Sequence, residues 1–97
     1  MTATARAGAT VTRLEDNSRV TIIEWRLPPG AETGWRKDVP GCVVFYRTAA
    51  KHIVERRDGL RALDVGAGQA WYRAPAGDIN LINAGVSEVI FVEAELK

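Results

Sequence analysis

The 97-residue chain holds one cysteine, one histidine and one methionine. A lone cysteine, Cys42, excludes an intrachain disulfide, and a reduced, cytoplasmic setting is the simple expectation. A lone histidine, His52, excludes a three-histidine metal site. An excess of one charge is absent too: 13 Lys and Arg stand against 12 Asp and Glu, a formal net charge of +1. With no basic block there is no electrostatic footprint for nucleic acid, and no nucleic-acid partner is expected. No apolar run approaches the roughly 20 residues that span a bilayer, so no membrane partner is expected either. Residues Met1 to Thr10 lack the apolar stretch of a secretory leader. No segment keeps a 3.6-residue apolar period, and there is no internal repeat or low-complexity linker.

What remains is an ordinary globular balance, 46% hydrophobic and 26% charged. The length predicts one domain over residues 1–97, with 1–10 as a loose arm. Its core is modest, so burial against a second subunit would add to it. β-Branched and aromatic residues favour strands at Val11–Glu15, Arg19–Leu27, Ala70–Arg73 and Val89–Leu96. Along the last of these, Val89, Phe91, Glu93 and Glu95 share one face. Cys42–Tyr46 is a continuous apolar run, consistent with a strand buried on both sides. Lys51–Arg57 and Leu60–Val65 flank Asp58-Gly59, which predicts a hairpin with a type I′ turn. Turn signals at intervals of about 8 to 12 residues predict an all-β sandwich or barrel.

The stretch from Pro75 to Gly85 reads as turn, short strand, turn. In it Asn80 and Ile82 share one face, and Ile79, Leu81 and Asn83 the other. A polar Asn80 in phase with Ile82 marks a candidate pocket residue.

Pro28-Pro29-Gly30-Ala31-Glu32-Thr33-Gly34-Trp35, followed by Gly68, Pro75, Gly77 and Asn83, resembles the motifs of a small single-domain cupin over roughly Val20 to Lys97. The resemblance implies a jelly-roll β-barrel of eight to ten strands and a homodimer. It also implies a metal site of three histidines and a glutamate, and here the sequence departs from the pattern. The His-x-His positions hold Arg36 and Asp38, the glutamate position falls on Cys42 or Val43, and the second-motif histidine position holds Asn80. An amide and a permanently cationic guanidinium are unsuited to a transition metal, so no metal and no cofactor are expected. Replacement ligands at Asp38, Cys42 or His52 are the remaining route to a metal.

The expected role is therefore a metal-free binding domain for a small anionic or polyhydroxylated molecule. Arg36 is the fork for a carboxylate or phosphate, Asp38 its partner or a hydroxyl acceptor, and Asn80 a donor and acceptor. Tyr46 and Trp35 complete the ligand-binding set, with Trp35 able to stack on a ligand. The bland alternative makes Arg36 and Asp38 a rim ion pair and leaves Asn80 to satisfy a nearby loop backbone. On the pocket reading, Arg36→Ala abolishes anion binding and spares stability. Cys42 reads as a buried small hydrophobe and His52 as a surface or partner-contact residue. The other functional class is a small cupin enzyme of dioxygenase, isomerase or epimerase type with a non-standard site.

Overall fold

The computed structural model describes residues 6–37, 41–75 and 77–97. Its strands run β1 Thr10–Asp16, β2 Val20–Leu27, β3 Arg36–Lys37, β4 Cys42–Tyr46, β5 Ala50–Arg56, β6 Gly59–Val65, β7 Ala70–Arg73, β8 Asp78–Asn83 and β9 Val89–Leu96. They form two sheets, one of five strands in the order β1-β2-β9-β4-β7 and one of four in the order β3-β8-β5-β6. Every named strand pairing is antiparallel. Among the described residues no helix is long and apolar enough to cross a membrane.

The two sheets face each other across one core. The alternation predicted for β2 and β9 is realised: Trp25 and Leu27 pack inward with Val89 and Phe91, and Ile79 and Leu81 meet them from β8. The Trp25 and Phe91 rings stack, as do those of Tyr46 and Phe91. Two parallel faces of apolar side chains in alternate positions are what a barrel needs to bury its interior without a helix.

Four local expectations are corrected. First, β4 is buried on one face only: Cys42, Val44 and Tyr46 are buried while Val43 and Phe45 are exposed. An unbroken apolar run cannot reveal which of its faces lacks a covering layer. Second, the β5–β6 hairpin turns at Arg57 and Asp58, with Arg56 paired to Gly59. No described non-glycine residue has a positive φ, and the positive value falls on Gly59 at +149°. A type I′ turn needs positive φ at both central residues, so this turn is of another type. Third, the arm is not loose throughout: the Ala9 amide donates to the Glu32 carbonyl and the Glu32 amide to the Ala7 carbonyl. These residues pair with their own chain. Fourth, His52 is buried on β5 between Tyr46 and Phe91, not at the surface.

Candidate ligand-binding site

Inward positions toward one end of the barrel change from apolar to charged. On β9 the inward series Val89, Phe91 is followed by Glu93, which is completely buried. Isolated in an apolar interior, a carboxylate would be neutralised by protonation. Here it is surrounded by donors. Arg36 of β3 grips it with both terminal nitrogens, Nη1 to Oε1 at 2.5 Å and Nη2 to Oε2 at 2.7 Å. Arg73 of β7 donates to Oε2 at 2.7 Å, and the Trp25 indole N–H to Oε1 at 3.0 Å. The Arg36 guanidinium also lies over the Trp25 ring, 4.5 Å from its centroid.

Burial by itself raises the Glu93 pKa. The hydrogen bonds and positive charge of Arg36 and Arg73 outweigh that and hold it below the usual carboxylate range. Two guanidinia thus converge on this one buried carboxylate.

Beside the cluster lies a cavity of about 510 Å³. Tyr46, Val54, Leu63, Trp71, Ile79 and Leu81 form its apolar wall, and Arg56, Arg61 and Arg73 are its cations. Among the described residues Asp58 is its one acidic lining residue. Tyr46 and Trp71 stack with ring centroids 5.5 Å apart. The Tyr46 hydroxyl makes no hydrogen bond to the described residues, and burial together with the nearby Glu93 charge pushes its pKa up. It therefore remains a neutral donor. Among the described residues no carboxylate lies within ion-pair distance of Arg61, which is exposed at the cavity mouth.

The four described residues of the expected pocket are dispersed. Tyr46 lines the cavity. Arg36 enters the interior but is held by Glu93. Trp35 is half exposed on the outside, with the Arg57 guanidinium 4.0 Å above its ring. Asp38 lies outside the described residues.

Asn80 faces away from the cavity and is used by the chain itself. Residues Gly30 to Thr33 run beside β8, and Arg36 and Lys37 rejoin it further along. Asn80 bridges the gap, its Oδ1 accepting from the Gly34 amide at 3.0 Å and its Nδ2 donating to Glu32 and Glu55 at 2.8 Å each. Gly34 takes φ +87°, which lets the strand detour there.

The described donors do not fit a metal ion. No three His, Cys, Asp or Glu side chains among them gather closely enough to hold one. Glu93, the buried carboxylate, already has two guanidinia on its oxygens, and their charge repels a cation.

Sequence reasoning missed Glu93, Arg56, Arg61 and Arg73. A signal existed in the strand phase. Arg56, Arg61 and Arg73 each stand two residues from an inward apolar residue: Val54, Leu63 and Trp71.

No family model matches the chain. A Pseudomonas aeruginosa protein named β-alanine degradation protein BauB is 42% identical over 82 residues, 84% of this chain and 86% of that protein. Among solved structures, a cupin domain from Bordetella pertussis is 36% identical and aligns over 98% of this chain and 99% of its own, with a TM-score of 0.92. An RmlC-like cupin from Methanocaldococcus jannaschii, 14% identical, aligns over 99% of this chain and 85% of its own with a TM-score of 0.76, a likeness of fold alone.

Proposed function

This chain belongs to the cupin superfamily, and from that premise we propose that it is a binding module for a small anionic molecule. The cavity at the arginine-rich end of the barrel is the proposed binding site. One observation carries the reading: among the described residues, three guanidinia and one carboxylate line a hollow of about 510 Å³. Its size is within the roughly 300 to 1,000 Å³ of small-molecule sites. Guanidinia match carboxylate and phosphate oxygens with paired donors, and an apolar wall strengthens each such contact by lowering the local dielectric.

Division of labour among the arginines supports the assignment. Arg36 and Arg73 are tied to Glu93, which fixes their positions. Among the described residues no carboxylate pairs with Arg61, which is open to an incoming anion. The name of the Pseudomonas aeruginosa relative refers to the degradation of an amino acid, which makes carboxylates the first class to test.

The experiment is a calorimetric titration of the wild type and Arg61→Ala with butyrate and inorganic phosphate. Saturable binding of either anion, weakened at least fivefold by the substitution, supports the site. Equal binding by the two proteins refutes it.

We propose also that two copies associate through the outer face of the five-stranded sheet. Val43, Phe45 and Tyr72 are 39%, 42% and 57% exposed there. Val43 is the cross-strand neighbour of both Tyr72 and Ala94, and Phe45 of Val92. These side chains carry no charge, so the face is compatible with itself across a two-fold axis.

A further inference from the structure

The cavity is graded in polarity along its depth, and on the reading of it as an anion site this grading selects among anions. Tyr46, Ile79 and Leu81 are its buried members, and Val54, Leu63 and Trp71 are half-buried. The residues open to solvent are Asp58, Gly59, Leu60 and Arg61. Arg73, 14% exposed, and the half-buried Arg56 stand at intermediate depth. In each of the strands β5, β6 and β7 the charged residue follows the same rule: an inward apolar side chain, then an arginine two residues away.

We infer that the ligand is a monoanionic organic acid with an apolar body. The body lies against Tyr46, Val54, Leu63, Trp71 and Leu81, and the acid group stays at the arginines. Three physical points lead there. At roughly 30 Å³ for each water-sized group, an anion of four heavy atoms would take less than a third of the cavity and leave the apolar wall wet. Burying that wall under hydrocarbon is worth about 0.8 kcal/mol per methylene, close to fourfold in affinity. Among the described residues the buried wall of Tyr46, Ile79 and Leu81 has a single polar group to offer, the neutral Tyr46 phenol, and so is poorly suited to desolvating a second charge.

The third point has a sharp consequence. β-Alanine is short and carries an ammonium at its far end. It is therefore a poor fit here, whatever the relative's name suggests.

The test is a calorimetric series with acetate, butyrate, hexanoate and octanoate, alongside β-alanine, inorganic phosphate and neutral hexanamide. Wild type, Arg61→Ala and Val54→Thr are compared. The expected result is affinity rising about threefold to fourfold per methylene, with β-alanine at least tenfold weaker than butyrate. Arg61→Ala then weakens the whole acid series and leaves hexanamide alone. Val54→Thr, nearly isosteric, weakens octanoate and spares acetate.

Acetate, phosphate or β-alanine binding as tightly as octanoate, and in an Arg61-dependent way, would overturn the inference and leave the anion site standing. Absence of Arg61-dependent binding for every anion in the series would overturn the anion site itself, and this inference with it.

Discussion

Arg36 and Glu93 form a two-pronged ion pair inside the barrel, 57 positions apart in sequence and joined by bonds of 2.5 and 2.7 Å. Glu93 is completely buried and Arg36 is 22% exposed. Arg36 is therefore part of what holds β3 against the five-stranded sheet. Arg36→Ala removes the two-pronged partner of a buried carboxylate and should cost about 3 kcal/mol. For a domain of this size that is a fall in Tm of more than about 10 °C. Differential scanning calorimetry checks it. The pocket reading of the sequence, in which Arg36 is free to hold an anion and the substitution spares stability, predicts a change near zero.

Glu93 also sets an acid limit. Its pKa is lower in the folded chain than the ordinary value of 4.5 because the arginines outweigh burial. A carboxylate depressed on folding stabilises the fold above its unfolded pKa and loses that contribution as pH falls through the folded value. The Glu93 contribution to the urea midpoint should be steady above about pH 5 and fall steeply below about 4.5. Glu93→Gln should start less stable and show a shallower acid slope.

His52 adds a second acid-sensitive step at higher pH. Burial lowers its pKa from the ordinary 6.5, and the smaller opposing effect is its bond to the Ile82 carbonyl at 3.2 Å. That carbonyl can only accept, so Nδ1 carries the proton, and Nε2 is buried with no partner among the described residues. With the folded pKa depressed, the unfolded chain binds the extra proton first, and stability declines as pH drops below about 6.5. Because this is the chain's one histidine, its ring protons give an unambiguous NMR titration. Their midpoint should fall below the ordinary 6.5. A midpoint at or above 6.5 would contradict the burial.

Self-association is open to a direct check. The chain has a mass of 10.6 kDa. Light scattering should return about twice that for the wild type, and Phe45→Glu, which places a charge on the apolar outer face, should return the single-chain mass with an unchanged fold. A wild type that remains a single chain at every concentration would remove the dimer from the account.

Much of the architecture was legible because it depends on local pattern. Alternation along Arg19–Leu27 and Val89–Leu96 predicted β2 and β9, whose inward faces are the core. Asp58-Gly59 marked the β5–β6 hairpin even though its turn type differed. The motif glycines and prolines led to the cupin barrel. The site was harder because it is assembled from sequence-distant residues. Glu93 could be assigned to the inward face of β9, but nothing local said that Arg36 and Arg73 would meet it there. Asn80 misled for a related reason: alternation gives the face of a residue, not whether a loop covers that face. Gly30 to Gly34 covers this one, and the amide serves the chain's own backbone.

Indole N–H resonances offer the most direct test of the proposed binding site, since the chain has three tryptophans in three different settings. Trp71 lines the cavity, Trp25 is bonded to Glu93, and Trp35 is outside against Arg57. In a ¹⁵N-labelled sample titrated with butyrate at constant pH and ionic strength, the account predicts a saturable shift of the Trp71 signal with Trp35 unmoved. The same titration of Arg61→Ala should need a severalfold higher concentration. A shift confined to Trp35, or a Trp71 signal that stays in place up to saturating carboxylate, would contradict it.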